Sequence, residues 1–398
     1  MNLRTPEFDC HPGDRSDDSR PGRKKLRIAH LTPSFFSTDS CVGGGERYVY
    51  NICKAISIAA AERDQQVEQA IISAGPNARI FTYEGLRVVI LENLIRHPNA
   101  MEALPGGLWA ALKGFDLVHI HQSLTQFGAY CATIARSLAI PFVTTDHGGG
   151  HDELMLSGRG LELSAGVLSV SEYARSLTKS SFRGAGMVLI GPIDCDYFKP
   201  DPEVVRNRNM VLCVGRILPH KGFDRVVEAL PPSLALTIVG QIYDKKYFEL
   251  LQELATDKDV QFISDAADDR LLELYRTSAL FIQPSTHIDC YGNKISKPEL
   301  MGLTTLEAMA CGMPVVVSDA GSLPELIPSS ELGQIFSKRS ELEDILDRFA
   351  AGAWPGPDQQ RLSRAKACGS YSFAKVGARA LDYYHDAMAP ASEINRLA

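Results

Sequence analysis

Two glutamates with a glycine-containing turn between them are the residues best placed to bind a phosphorylated ligand. They lie in the segment PELMGLTTLEAMACGMPVV, which begins at Pro298, and seven residues separate Glu299 from Glu307. The pattern predicts a helix from about Leu303, with Glu299 before it and Glu307 just over one turn inside it. A helix N-terminus offers N–H groups and a positive dipole end to an anion such as a diphosphate. Glu299 can then accept hydrogen bonds from sugar hydroxyls and Glu307 from ribose hydroxyls.

Two cations lie upstream, on a second predicted strand-to-helix loop. In VGRILPHKGFDRVVEAL (Val214–Leu230), Arg216 and Lys221 come just before a helical pattern. Fixed cations at such a loop can neutralise the negative charge that develops on a leaving diphosphate. Two loop cations alone are common on surfaces, but beside the glutamate pair they indicate a site for diphosphate chemistry.

The elements that must position these residues follow a regular alternation of short β-branched runs and helical patterns. Strands buried on both faces and followed by helices predict parallel sheets, and two such series predict two Rossmann-like α/β domains facing across a cleft. The joint falls near Gly191–Val204, which is rich in Pro, Asp and Gly. The predicted boundaries are a disordered tail over 1–25, an N-terminal domain over 26–192, and a C-terminal domain with a terminal helix over 193–398.

The individual elements can be read from the same patterns. The predicted strands are Leu26–Leu31, Glu68–Ile72, Arg87–Leu91, Leu117–Ile120, Phe142–Thr145, Gly166–Val170, Met210–Val214, Ala235–Val239, Val260–Ile263, Leu280–Gln283 and Pro314–Ser318. The predicted helices include Glu46–Ala61, Gln126–Leu138, Gly222–Leu230, Tyr247–Ala255, Asp269–Arg276, Leu303–Ala310 and Phe373–Ala387.

Composition excludes several classes of protein. The chain has 398 residues, more than the ~250–300 at which a single core stops growing, and its net charge of −7 argues against a dedicated nucleic-acid binder. Its nine cysteines are scattered without a Cys-x-x-Cys pair, which favours a reducing cytoplasm over a disulfide framework or a structural zinc site. The tail lacks the apolar core of a secretory signal, and no apolar run reaches the ~20 residues of a membrane span. We expect a cytoplasmic protein with at most peripheral membrane contact.

Together these segments resemble the retaining nucleotide-sugar glycosyltransferases of the GT-B fold, glycosyltransferase family four (glycosyl transferases group 1). The resemblance runs from about Leu26 to Tyr384 and is densest over Met210–Leu326. It makes the N-terminal domain the acceptor domain and the C-terminal domain the nucleotide-sugar-binding domain. It also assigns a role to each matching residue.

In the C-terminal half, Glu299 resembles the family's sugar-contacting glutamate and Glu307 its ribose-contacting one. Arg216 and Lys221 match the phosphate-binding pair. The diphosphate cradle corresponds to Gly302, Leu303 and Thr304.

In the N-terminal half, VGGGERYVYNICKAI resembles the family's glycine-rich first loop, where Gly44 and Gly45 would let the backbone approach the donor phosphate and sugar. The segment TTDHGGG places His147 at the end of a strand, matching the histidine that faces the donor sugar. Together with Arg216, Lys221 and Glu299, His147 makes up the expected catalytic set.

The resemblance implies transfer of a hexose-type sugar from a nucleotide-diphosphate sugar to a hydroxyl acceptor. It implies same-face attack with retention of configuration, in which the nucleotide sugar is a co-substrate and no metal or other cofactor is needed. We expect uridine diphosphate in the donor, while a glycan, a lipid precursor and a small molecule remain open as acceptor. The alternatives are a nucleotide-sugar epimerase or glycan phosphorylase on the same fold, or a non-catalytic nucleotide-sugar binder.

Three ligand-like groups are set aside. Asp194 and Asp196 resemble the Asp-x-Asp metal motif of another glycosyltransferase fold but fall in the interdomain linker. His119 and His121 share one face of a strand, yet the sequence offers them no third ligand. His287, Asp289 and Cys290 favour an ordered loop, within a segment (Thr286–Pro298) that is longer than is usual in the family.

Overall fold

The computed structural model of the protein describes residues 25–33, 44–95, 99–148, 161, 163–178, 186–356 and 358–389. Residues 1–24 of the predicted tail lie outside the described residues. Two α/β units, each built on a mostly parallel sheet, confirm the predicted fold class. Within the described residues no helix combines the length and apolar character needed to cross a membrane.

The first sheet has eight strands in the order β3-β4-β2-β1-β5-β6-β7-β8, all parallel except β3, which runs antiparallel to β4. Its strands are β1 (Leu26–Leu31), β2 (Val67–Gly75), β3 (Arg79–Tyr83), β4 (Leu86–Glu92), β5 (Leu117–His121), β6 (Phe142–Thr145), β7 (Gly166–Ser169) and β8 (Gly186–Val188). The α-helices among the described residues of this half are α1 (Gly44–Glu62), α2 (Leu108–Ala111), α3 (Gln126–Ser137) and α4 (Glu172–Thr178). β5 is buried at every position, as a central strand covered on both faces should be.

The second sheet has six parallel strands in the order β11-β10-β9-β12-β13-β14. They are β9 (Asn207–Val214), β10 (Ala235–Val239), β11 (Val260–Ile263), β12 (Ser278–Gln283), β13 (Val315–Ser318) and β14 (Gln334–Phe336). The helices are α5 (Phe223–Ala229), α6 (Lys245–Leu254), α7 (Asp268–Thr277), α8 (Leu303–Ala310), α9 (Leu323–Leu326), α10 (Arg339–Ala350), α11 (Gln359–Tyr371) and α12 (Phe373–Met388). The order reverses between β9 and β12, and ligands of open parallel sheets bind at the strand carboxyl ends beside such a reversal.

Predicted and observed strands agree closely in the centre of both sheets. β1, β6, β10 and β11 have the predicted bounds, and the other predicted strands agree within three residues at each end. The strands absent from the prediction are β3, β8 and β14, which all lie at sheet edges. Edge strands are partly exposed and lack the continuous apolar run that marks a buried strand.

The last helix, α12, follows the second sheet along the chain but packs on α1 beside the first sheet. The two helices approach so closely that a Cβ on Gly377 would lie 2.0 Å from the carbonyl oxygen of Ala55. Arg63 and Asp382 form an ion pair at 2.5 Å along the same contact. The helix α12, which follows the second sheet in sequence, therefore packs as part of the N-terminal half.

Candidate functional site

A cleft of about 850 Å³ separates the two sheets and is lined by loops from both. This volume lies in the range of small-molecule and cofactor sites, roughly 300–1,000 Å³. The structure brings all ten predicted site residues to its walls, namely Gly44, Gly45, His147, Arg216, Lys221, Glu299, Gly302, Leu303, Thr304 and Glu307. The predicted groups from both halves of the chain therefore share one cavity.

Glu299 is held at the base of the cleft by a dense set of donors. Its Oε2 lies 2.9 Å from Lys221 Nζ and 2.6 Å from Gln283 Nε2, while Oε1 accepts the backbone N–H of Gly302 at 3.3 Å. Burial alone would raise the pKa of this carboxyl, but Lys221 and the backbone N–H groups of Met301 and Gly302 outweigh it and lower the pKa. Glu299 is therefore an ionised, fixed acceptor at neutral pH.

The amino end of α8 faces the cleft beside this glutamate. Gly302, at φ +77°, occupies the left-handed region, and a Cβ there would lie 2.9 Å from Leu326 Cδ1. The first hydrogen bond of the helix runs from Thr305 N–H to the Gly302 carbonyl at 3.1 Å. The N–H groups of Leu303 and Thr304 precede that bond, so they have no partner within the helix and can donate to an anion.

The two predicted cations differ in environment. Lys221 is mostly buried and paired with Glu299, whereas Arg216 is exposed and lies over the Tyr243 ring at 5.3 Å from its centroid. Between them, His220 has its pKa lowered to about 4 by burial and by the nearby charges of Lys221 and Arg216. It is therefore neutral at pH 7 and adds hydrogen-bonding capacity but no charge.

Glu307 lies deeper, on α8, and is nearly fully buried. Tyr275 donates its hydroxyl to Glu307 Oε2 at 2.8 Å, and burial raises the pKa of the carboxyl against the opposing charge of Arg47. Arg47 comes from α1 in the other half and forms an ion pair with Asp268 at the start of α7. An arginine from the N-terminal half therefore closes the wall of the cleft beside Glu307.

His147 faces the cleft from the loop after β6. Its backbone N–H donates to Gln122 Oε1 at 3.3 Å, and its ring lies against Tyr48 with centroids 4.6 Å apart. Burial lowers its pKa to about 3, so the imidazole is neutral at pH 7. Gly45 packs directly beside it, where a Cβ would be 3.2 Å from Gln122 Nε2 and 3.9 Å from His147 Cβ.

The prediction of a glycine-rich loop through Gly44 and Gly45 needs correction. Both residues lie in the first turn of α1, which begins two residues earlier than expected. The reason is that α1 is anchored along most of its length by its buried apolar face, so the helical conformation extends back through glycine despite its low propensity. The two glycines still line the cleft.

Models of known protein families match both halves of the chain. The model of the family described as "Glycosyl transferases group 1" matches residues 197–364, and that of "Glycosyltransferase Family 4" matches residues 42–190. The two matches meet near the interdomain joint and together span most of the chain. The chain belongs to the family-four glycosyltransferases.

Two relatives of this chain have named activities. A GDP-mannose-dependent alpha-(1-6)-phosphatidylinositol monomannoside mannosyltransferase of Mycolicibacterium smegmatis is 31% identical over 42% of this chain and 48% of its own length. A GDP-mannose:cellobiosyl-diphosphopolyprenol alpha-mannosyltransferase of Xanthomonas oryzae pv. oryzae is 24% identical over 91% of this chain and 97% of its own. The chain spans about half the length of the mycobacterial relatives it matches.

A solved structure agrees in fold. Sucrose-phosphate synthase from Thermosynechococcus elongatus superposes with a TM-score of 0.72 at 20% identity, covering 91% of this chain and 98% of that one. At this identity the likeness extends to the GT-B fold alone.

Several residues of the cleft were not predicted from the sequence. Arg47, Gln283 and Lys297 contact predicted site residues or their neighbours, but each is a single polar residue inside an otherwise ordinary segment. For Arg47 a signal exists, because it lies one turn from Gly44 on the helix face that reaches the cleft. Gln283 is the last residue of β12, and polar residues at the carboxyl ends of parallel strands merit attention for that reason alone.

The groups that we set aside as metal sites have other partners in the structure. Asp194 Oδ2 pairs with Lys54 at 3.0 Å, and its Oδ1 accepts from the backbone N–H of Asp196 at 3.1 Å. Asp289 accepts the backbone N–H groups of Tyr291 and Asn293, both at 2.9 Å, which makes Thr286–Pro298 an ordered loop.

His119 and His121 differ from expectation, because the structure supplies the third imidazole that the sequence did not reveal. His30, on the neighbouring strand β1, lies with them so that one nitrogen of each falls within 4.8 Å of the others.

Proposed function

We propose that this chain transfers a hexose from a nucleoside-diphosphate sugar to a hydroxyl acceptor with retention of configuration. The observation that carries the proposal is the Lys221–Glu299 pair, 2.9 Å apart at the amino end of α8 and lining one cleft with His147. A buried cation and free helix N–H groups suit a diphosphate, and a fixed carboxylate suits sugar hydroxyls. The N-terminal half then presents the acceptor.

In the proposed mechanism the acceptor hydroxyl attacks the anomeric carbon from the face that the diphosphate leaves. The anomeric C–O bond to phosphate breaks as the new glycosidic bond forms, and a leaving phosphate oxygen takes the acceptor proton. Lys221, Arg216 and the helix N-terminus stabilise the departing charge. Among the described residues, the carboxylates lining the cleft all come from the C-terminal half, and they are Asp265, Asp268, Glu299 and Glu307. Glu299 and Glu307 already accept hydrogen bonds, which supports a route without a carboxylate nucleophile.

For the donor we propose GDP-mannose in place of the uridine donor that the sequence led us to expect. The two named relatives use GDP-mannose. The base end of the cleft is lined by Ser264 and Asp265, which follow β11. Guanine presents two adjacent N–H donor groups on one edge, and a carboxylate can accept both, whereas uracil presents one.

The test is a panel of guanosine, uridine, adenosine and thymidine diphosphate sugars, followed by nucleotide release and by the anomeric proton couplings of any product. We expect GDP-mannose to be used best, with retained configuration and with activity unchanged by a metal chelator. Preference for a uridine donor would remove the base assignment, and an inverted product would remove the mechanism.

The same incubations separate the other activities of this fold. Isomerisation of the donor without acceptor would indicate an epimerase, and phosphate-dependent release of sugar from a glycan would indicate a phosphorylase. Binding of nucleotide without transfer or hydrolysis of any donor would indicate a non-catalytic binder.

A further inference from the structure

Four histidines are stacked behind the sugar end of the cleft. His30 lies on β1, His119 and His121 lie on β5, and His147 follows β6. Successive rings are parallel or tilted, with centroids 5.5 Å apart for His147 and His121 and 5.5 Å apart for His121 and His30. The first three are fully buried, so the array runs from the cleft into the core of the N-terminal half.

All four imidazoles are neutral at physiological pH. Burial lowers the pKa of His30 to about 4 and that of His147 to about 3, and it holds those of His119 and His121 well below the usual range. A neutral imidazole has one N–H donor and one bare nitrogen acceptor. In a row of such rings, each ring must therefore donate to the neighbour on one side and accept from the neighbour on the other.

Three of the rings form a continuous chain that ends on an amide. His147 Nε2 lies 3.2 Å from His121 Nδ1, His121 Nε2 lies 3.2 Å from His30 Nδ1, and His30 Nε2 lies 3.0 Å from Gln69 Oε1. The amide nitrogen of Gln69 donates to the carbonyl oxygen of Cys53 at 2.8 Å. A carbonyl can only accept, so the orientation of the Gln69 amide is fixed with its oxygen toward His30.

The orientation of the Gln69 amide fixes the proton position on each of the three rings in turn. Gln69 Oε1 requires a proton on His30 Nε2, which leaves His30 Nδ1 bare and so requires a proton on His121 Nε2. His121 Nδ1 is then bare and accepts the proton of His147 Nε2, which leaves His147 Nδ1 as a bare acceptor.

We propose that Gln69 is a positioning residue that sets the tautomer of His147, through His30 and His121, so that His147 Nδ1 accepts a hydrogen bond from a donor-sugar hydroxyl. The proposal rests on the proposed function for the identity of the ligand, but its tautomer prediction does not. It assigns a catalytic consequence to a residue on β2 that lies outside the lining of the cleft.

A metal ion is the competing occupant of the array, since nitrogens of His30, His119 and His121 lie within 4.8 Å of one another. The hydrogen bonds argue against it. Both ring nitrogens of His119 already have hydrogen-bond partners, Tyr384 OH at 2.6 Å and Thr145 Oγ1 at 2.7 Å. Both ring nitrogens of His30 and of His121 take part in the hydrogen bonds that link the rings to one another and to Gln69. Zinc would have to displace these partners.

The test is nitrogen-15 NMR of imidazole-labelled full-length protein, which distinguishes Nδ1–H from Nε2–H tautomers. We expect Nε2–H for His30, His121 and His147 in the wild type. Gln69→Met removes the acceptor at similar size and should mix or reverse the His147 tautomer. Ser57→Ala is the matched control, because Ser57 contacts the same amide nitrogen at 2.9 Å while Cys53 still fixes it.

Activity provides a second readout. We expect Gln69→Met to lower kcat at least about tenfold, because loss of the residue that sets the tautomer of a catalytic histidine is costly, with unchanged affinity for the nucleoside diphosphate alone. Should Gln69→Met fail to fold, His30→Phe interrupts the chain one ring closer and should produce the same tautomer change.

Three results would overturn the proposal: Nδ1–H on wild-type His147, an unchanged tautomer in a folded Gln69→Met or His30→Phe variant, or loss of the His30 and His121 N–H signals on adding Zn²⁺. Absence of transfer with any donor would instead remove the proposed function and leave the tautomer measurements standing.

Discussion

Lys297 Nζ of the C-terminal half lies 3.0 Å from Asp146 Oδ2 of the N-terminal half, and the two side chains are only 15% and 11% exposed. Asp146 immediately precedes His147, and Lys297 lies two residues before Glu299. The ion pair therefore connects the two segments that place His147 and Glu299 on opposite walls of the cleft. Tyr173 adds a second tie, donating its hydroxyl to the Ser296 carbonyl at 2.6 Å.

Loss of the Lys297–Asp146 ion pair should lower the rate of transfer, because the two walls of the cleft are then held together less firmly. We expect Lys297→Met and Asp146→Asn each to lower kcat/KM by roughly 10–100-fold, because each leaves a partly buried charge without this partner. The double variant should lose less than the product of the two single losses, giving a coupling energy on the order of 0.5–3 kcal/mol. The measurement is a double-mutant cycle on transfer rate, and strictly multiplicative losses would show that the pair does not couple the two walls.

The Lys221–Glu299 pair leads to a sharper prediction at the donor site. Lys221→Ala and Glu299→Gln should each lower kcat on the order of 10²–10³-fold, as loss of one preorganised charge partner does, while the fold survives. Lys375→Ala, an exposed lysine on α12, is the matched control and should leave turnover unchanged. Steady-state kinetics with thermal unfolding decide the matter, and near-normal turnover by both site variants would refute the assignment.

The sequence predicts the central strands, the helix N-terminus at Leu303 and ten of the residues that line the cleft, because these depend on local pattern. β-branched runs, glycine turns and the amino ends of helices are readable within ten or so residues. Gly302 is a clear case, since the glycine-containing turn and the helix start after it were both predicted, and the helix begins at Leu303.

Contacts between distant segments could not be predicted from local pattern. Arg47 reaches Asp268 and Lys297 reaches Asp146 only once the two halves are docked. His30 and Gln69 look like ordinary polar interruptions of buried strands, and their pairing follows from the parallel register of β1 and β2, in which Ile28 lies opposite Gln69. A single sequence contains no signal for that register beyond the general hydrophobic pattern.

The buried histidines predict a loss of stability in mild acid. His30 is neutral in the folded chain until about pH 4, whereas in the unfolded chain it takes up a proton near its ordinary pKa of 6.5. Between these values the unfolded state binds more protons, so the free energy of unfolding falls as pH falls. Each such histidine contributes a slope of about 1.4 kcal/mol per pH unit.

Urea unfolding at about pH 7 and about pH 5 measures this slope. We expect His30→Phe to reduce the loss of unfolding free energy between these two pH values by about 2 kcal/mol, because the full slope applies only below the unfolded pKa of 6.5. An equal pH dependence in the two proteins would mean that His30 is charged in the fold.

The contact between α12 and α1 predicts a strongly position-dependent effect of glycine substitution. Gly377→Ala should lower the thermal midpoint and loosen the terminal helix, because its Cβ would overlap the Ala55 carbonyl at 2.0 Å and the two helix backbones would have to separate. Gly369→Ala is the matched control, since Gly369 lies exposed on α11 and a Cβ there meets nothing within 4 Å. That change should stabilise the helix by roughly 0.5–1 kcal/mol. Calorimetry and amide exchange of α12 distinguish the two cases, and stabilisation by both variants would show that helix propensity rather than close packing decides.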